Sequence, residues 1–245
     1  MFVLDPFLAS VIAQWQIFGS PLPGDELLRV SRHRLRALLN PVVPALRQAA
    51  DIPGVIELMK RVYKPPHGPE ALWKPEALAA HLERFPEGQI LLRDGSGRVL
   101  ADSTGAVLPA ALALRPHTWS EATGRGTLST HDPKGEVFYG VDIAVDPALQ
   151  GMGLAKKLYA ARLDLARSLG CRWFAAGARI PGYHKVAHLL SPETYLREVV
   201  AGLRFDPTLS KQLKLGFTAL SLLPGYLADV ESLDHAVLIV RPVEA

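Results

Sequence analysis

Cysteine is almost missing from this chain of 245 residues; Cys171 is the only one. A lone thiol excludes a disulfide framework within one chain, and so argues for a cytoplasmic protein. Charge of one sign is also scarce. The 27 Lys and Arg against 24 Asp and Glu leave a net +3, enough to favour a polyanionic small molecule and too little to argue for nucleic acid. No apolar run reaches the ~20 residues that span a membrane. The stretch 2–18 is apolar, but it has no basic leader, carries Asp5 and lacks a small-residue cleavage site, so a signal peptide is not expected. These shortages leave a globular protein. Hydrophobic residues make up 49% of the chain, and its length suits one sizeable domain with additions.

The chemistry concentrates in residues 141–155, Val-Asp-Ile-Ala-Val-Asp-Pro-Ala-Leu-Gln-Gly-Met-Gly-Leu-Ala. Val141, Ile143 and Val145 alternate with Asp142 and Ala144, the period of a strand. Asp146-Pro147 stops it, because proline has no N–H for a ladder. A glycine-rich turn follows, and then a helical stripe of Leu154, Leu158, Ala161, Leu165 and Leu169. Lys156, Lys157, Arg162 and Arg167 fall mostly off that stripe, and Gly170 is placed to cap it. Such a turn aims several backbone N–H groups at one point, at the positive end of a helix, where an anion such as a pyrophosphate binds. A nucleotide P-loop would need Lys-Ser/Thr after a longer loop. A dinucleotide fingerprint would need a small residue where Lys156 stands. A turn serving only to start the helix is the plain alternative.

Gln150-x-x-Gly153-x-Ala155 also fills the three defined places of Q/R-x-x-G-x-G/A, and in this it resembles the acetyl-CoA loop of the GCN5-related N-acetyltransferases (GNATs). The resemblance extends over about residues 42–241. It implies an α/β (α+β) GNAT fold, with a mixed, mostly antiparallel sheet of six to seven strands flanked by helices. Strands and helices are expected at 42–62, with Asp51 as a helix N-cap, at 75–85, at 89–94 and 99–107 joined by Gly95-Ser-Gly97, at 171–176, between Asp206 and Gly216, and at 217–223 and 236–240. Domain limits are 1–40 for an N-terminal helical extension and 41–245 for the acetyltransferase, with insertions at about 108–134 and 178–205. The extension is read as a packed appendage or a partner-binding arm, with a homodimer as one outcome. The phrases Tyr139-Gly-Val-Asp-Ile143, Arg179-Ile-Pro-Gly-Tyr183 and His131-Asp-Pro133 resemble the acetyltransferase domains fused to bacterial nitrilase-like hydrolases. No hydrolase half follows here, so amide hydrolysis is not expected.

The resemblance further implies that acetyl-CoA is the co-substrate and an amine, of a small molecule or a peptide, the acceptor. Its pyrophosphate would lie on Gln150, Gly151, Met152, Gly153, Leu154 and Ala155. Its pantetheine and thioester would lie along Ile143, Ala144 and Val145. A carboxylate in an apolar strand must be hydrogen-bonded, sit at a strand irregularity or face a wet cleft, which makes Asp142 the candidate base. Many family members place a tyrosine acid four residues before the Gly-Phe that ends the last helix; here that place holds Gln212. Tyr139, Tyr183 or a water would take its role, or the thiolate would leave unassisted. His184 and His188 are four apart, but two histidines without a third ligand make a poor metal site, and no metal is expected. Loss of the usual acid leaves open a non-catalytic acyl-CoA-binding regulatory module.

Overall fold

The computed structural model describes residues 42–65, 67 and 72–244, so the expected extension over 1–40 lies outside the described residues. A seven-stranded sheet forms the centre, in the order β1 (Pro44–Leu46), β2 (Gln89–Arg93), β3 (Val99–Leu108), β4 (Val137–Val145), β5 (Trp173–Arg179), β7 (Ala236–Pro242), β6 (Thr218–Leu223). Only β4 and β5 run parallel; every other neighbouring pair is antiparallel. The mixed sheet inferred from the sequence is therefore present, with each strand within a few residues of its expected place.

One face of the sheet is covered by α1 (Ile52–Val62), α2 (Pro75–Arg84) and two short helices of the first insertion, α3 (Ala110–Ala113) and α4 (Trp119–Thr123). The other carries α5 (Leu154–Ser168), α6 (Pro192–Val200) and α7 (Leu209–Lys214). In α1 the apolar spacing buries Val55, Leu58 and Met59 against Leu91, Val99 and Ala144. Each such side chain contributes about 1.5–3 kcal/mol relative to exposure. Local signals end the elements as expected. Asp94 accepts from the N–H groups of Ser96 and Arg98 across the β2–β3 hairpin. Ser191 caps α6 through the N–H of Thr194, and Asp206 accepts from Thr208 and Leu209 at the start of α7, both at 2.8 Å.

Two local readings need correction. Asp51 precedes α1, but its carboxylate does not cap it; it accepts from the Gln48 N–H at 2.7 Å and from Arg93 at 2.9 Å. A cation reaching over from the end of β2 competes better for the carboxylate than the helix N–H groups do. In α5 the face toward the sheet is Leu154, Leu158, Arg162, Leu163 and Ala166, while Leu169 is 41% exposed. Arg162 is thus in the interior.

Polar residues buried in β3 are partly satisfied in kind, Asp102 Oδ1 and Arg47 Nε being left without a partner. Arg47, itself fully enclosed, donates to Asp102 at 3.0 Å and also reaches Gln89 and Thr104. Ser103 donates to the Ile90 carbonyl. This network lies under the sheet between β1, β2 and β3 and ties three strands together.

Candidate active site

The parallel pair opens. β4 and β5 are in register from Val137 with Trp173 to Gly140 with Ala176. Beyond that point β4 runs on to Val145 and β5 to Arg179 with no partner between them. A cavity of about 370 Å³ fills the opening and is lined from both faces of the sheet, by Tyr63, Trp73, Asp142 and Tyr226 among others on one side and by Tyr159, Arg162 and Gln212 on the other.

Asp142 stands on this wall because of a bulge. Thr104 pairs with Asp142 and Gly105 with Gly140, so Val141 has no partner on β3. An extra residue re-aims the side chain that follows it. Trp119, from the first insertion, donates to the Val141 carbonyl at 3.3 Å and holds the irregular segment. The Asp142 carboxylate accepts from Tyr63 at 3.3 Å and from Trp73 at 3.2 Å. Burial pushes its pKa up, against the opposing effect of those donors and of the Ile143 N–H. All three circumstances that would excuse a carboxylate in this strand are met together.

The glycine turn follows directly on the open end of β4. Gly151 and Gly153 have φ of 77° and 91°, a region side chains avoid. Gly153 is the N-cap of α5. The next N–H groups, of Leu154, Ala155 and Lys156, have no acceptor inside the helix. A Cβ on Gly153 would meet nothing within 4 Å, so the φ angle, not crowding, demands glycine. Positive-φ glycines, helix-start amides and an unpartnered strand edge together fit an extended, anionic acyl-CoA.

Gln212, on α7, faces the cavity and donates its amide to the Tyr159 hydroxyl at 2.9 Å. The Tyr159 oxygen thus accepts from the amide, and the residue lines the cavity. Tyr139 is enclosed behind the wall. Its hydroxyl lies 2.7 Å from His117 Nε2 and 2.9 Å from the Tyr226 hydroxyl. His117 Nδ1 is 2.7 Å from the Arg115 carbonyl. A carbonyl only accepts, so Nδ1 carries the proton, Nε2 accepts from Tyr139, and Tyr139 accepts from Tyr226. Burial holds the His117 pKa down, in keeping with a neutral ring. Tyr226 presses on Gly177, where a Cβ would collide with its ring.

Tyr183 is not at the cavity. It packs with Tyr195 in the core below α6 and donates to the Leu190 carbonyl at 3.1 Å. The sequence placed it close in the chain to β5, but the loop turns its side chain into the core instead. Arg179 grips Asp229 through two bonds of 2.6 Å and Glu231 through a third of 3.0 Å. His67 with these two acids is a cluster of potential metal ligands, but Arg179 already claims both carboxylates.

Sequence reasoning missed Tyr63, Trp73, Tyr159, Arg162 and Tyr226. Tyr159 and Arg162 had one usable signal, their place three residues apart on the helix following the glycine turn. The others come from elements far away in the chain.

A sheet that opens at its parallel pair, with a glycine turn and helix start following the open strand, is that of an acyl-CoA-dependent acyltransferase. The chain belongs to the acetyltransferase (GNAT) family, which it matches over residues 68–185. It is 34% identical over 188 residues to the uncharacterized N-acetyltransferase YkwB of Bacillus subtilis (strain 168), across 77% of this chain and 83% of that protein. It is 36% identical over 189 residues to the probable hydrolase YhcX of the same organism, across 77% of this chain but 36% of that protein. The chain thus spans about a third of that second relative. In fold it is similar to the GphF GNAT-like decarboxylase in complex with isobutyryl-CoA, with a TM-score of 0.67 at 22% identity, covering 82% of this chain and 99% of the other. The protein is an N-acetyltransferase that moves an acetyl group from acetyl-CoA, its co-substrate, to an amine. No described helix is long and apolar enough to cross a membrane.

Proposed function

We propose that the cavity between β4 and β5 is where the amine meets the thioester, with Asp142 as the base. The observation that carries this is a carboxylate on the cavity wall, re-aimed there by the β4 bulge and with a pKa raised by burial. An alkylammonium must lose a proton before its nitrogen can attack. Asp142 takes that proton, directly or through a water, and the nitrogen forms the new C–N bond as the C–S bond breaks. The helix-start N–H groups of Leu154 and Ala155 hold the diphosphate, at the end of the turn Gln150, Gly151, Met152 and Gly153, in which the Gln150 and Met152 N–H groups bond to the Pro147 and Leu149 carbonyls. The unpartnered β4 edge at Ile143, Ala144 and Val145 holds the pantetheine arm like an added strand, and one of its amides faces the developing oxyanion. Tyr159 returns a proton to the leaving thiolate, with Gln212 fixing its oxygen. Tyr139 acts only by positioning Tyr226 on the wall.

The acetyltransferase unit is assigned to residues 41–245 with its two insertions, and 1–40 to an extension. The lone buried Cys171 suits a cytoplasmic setting, and the absence of a strong basic balance speaks against nucleic acid. The test is thiol release from acetyl-CoA over a panel of primary amines, with product confirmed by mass. Turnover with at least one amine is expected. Binding of acetyl-CoA with no thiol released on any amine would instead favour the regulatory module.

A further inference from the structure

Arg162 is 2% exposed, and its side chain lines the cavity. Its one hydrogen bond is from Nη2 to the Thr104 carbonyl at 3.2 Å, and Nε has no partner. No carboxylate among the described residues forms an ion pair with it. The other enclosed arginine among the described residues, Arg47, has Asp102 at 3.0 Å. The two acids whose fields reach Arg162 make no ion pair with it: Asp102 pairs with Arg47 through Oδ2, and Asp142 accepts from Tyr63 and Trp73.

A buried guanidinium without a contacting carboxylate is costly, and a core of this quality would accept an apolar residue in its place. Its surroundings partly offset the cost. The guanidinium carbon lies 5.1 Å from the Phe174 ring centre, 5.6 Å from Tyr159 and 5.7 Å from Phe138. Such contacts attract a cation weakly and leave its donors unused. Gly140 lets it approach, since a Cβ there would collide with Nη2. Gly140 is also in the last paired position before the strands part, so Arg162 sits at the closed end of the opening, beyond the place the thioester would occupy.

We propose that Arg162 is an anion subsite, and that the enzyme acts on a substrate bearing a carboxylate close to the reacting carbon or nitrogen. This deepens the acyltransferase reading of the cavity and rests on it. A guanidinium offers paired donors that match a carboxylate. In a small cavity walled by aromatic rings, that contact is little screened. The carboxylate comes from one of two places: the far end of a dicarboxylic acyl thioester, or the α-carboxylate of an amino-acid acceptor. An acetyl group and a plain amine would leave Arg162 unanswered.

Matched probes separate the two sources. On the donor side, acetyl-CoA is compared with malonyl- and succinyl-CoA. On the acceptor side, alanine, phenylalanine and glutamate are compared with their amides. One set should show about a 100-fold advantage in kcat/KM for its carboxylate members. Arg162→Met should reduce that advantage to a few-fold, and Arg162→Lys should restore part of it. Should Arg162→Met fail to fold, the wild-type comparison decides alone. Turnover with no carboxylate preference in either set would overturn the subsite and leave the acyltransferase reading intact. If nothing turns over, calorimetry still decides. S-(2-carboxyethyl)-CoA is set against S-propyl-CoA, and each amino acid against its amide in the presence of CoA. Equal affinities within every pair would sink the proposal.

Discussion

Replacing Asp142 by asparagine removes a charge and a base while keeping the shape. The asparagine oxygen can still accept from one of the two donors that now meet the carboxylate, Tyr63 at 3.3 Å or Trp73 at 3.2 Å. The other donor then faces an amide. Hydrogen bonds to charged groups contribute about 1.5–3 kcal/mol, and these two are long, so the loss falls at or below the low end of that range. The linkage acts the other way. Burial raises the folded-state pKa of Asp142 above the ordinary 3.8. A raised carboxyl contributes stability that is fully present below pH 3.8 and is lost as pH rises through the folded pKa, so at neutral pH the ionised group opposes folding. Asparagine stays neutral and escapes that penalty. Asp142→Asn is therefore expected to unfold at pH 7 within about 1 kcal/mol of the parent, because its two effects oppose. Its kcat/KM should fall by about 10²–10⁴-fold, the usual contribution of a positioned base. The parent rate should also decline tenfold per pH unit below the Asp142 pKa, with that limb above the ordinary carboxylate range, and the variant should lack it. Thiol release followed from pH 5 to 9, beside urea unfolding, reads both. An unchanged rate with an unchanged acid limb would refute the assignment; a variant that cannot fold would refute the balance of energies.

Gly153→Glu forces a side chain into φ of 91° and sets a carboxylate beside the diphosphate, so calorimetric affinity for acetyl-CoA should drop at least about tenfold, each factor of ten being 1.4 kcal/mol; equal affinity would remove the turn from the site. Tyr159→Phe should lower kcat more than it raises KM, by about 10–100-fold, as loss of a proton donor does, and a matching rise in KM alone would show a binding role. Tyr139→Phe leaves His117 Nε2 without its donor and frees Tyr226, costing about 1–3 kcal/mol in urea unfolding; a silent variant would contradict the network. His81 is enclosed and neutral, its pKa pushed down by burial to about 4 from 6.5. Its contribution is present above pH 6.5 and is lost as pH falls toward 4. His81→Phe should flatten the decline in urea midpoint between pH 7 and pH 4.5, and an identical decline would assign it elsewhere.

The local pieces are legible in the chain itself. The alternation of Val141, Ile143 and Val145, the stop at Asp146-Pro147 and the glycines before Leu154 each act over a few residues, so the strand, the turn and the helix start follow from short-range sterics and hydrogen bonding. Those pieces are enough for the family and its co-substrate. The side chains in the cavity are not legible in the same way. Asp142 meets Tyr63 and Trp73 across separations of 79 and 69 residues, and Gln212 meets Tyr159 across 53. No periodicity records such a meeting. Arg162 shows the limit most plainly: on a helical wheel an arginine beside an apolar stripe reads as solvated, and only the closing of β4 and β5 over α5 encloses it. Tyr183 shows the converse, a residue near the site in the chain that does not reach the cavity wall. Backbone conformation is decided by neighbours in sequence, whereas burial and charge pairing are decided by whatever the sheet brings alongside, and it is the latter that sets the chemistry of this cavity.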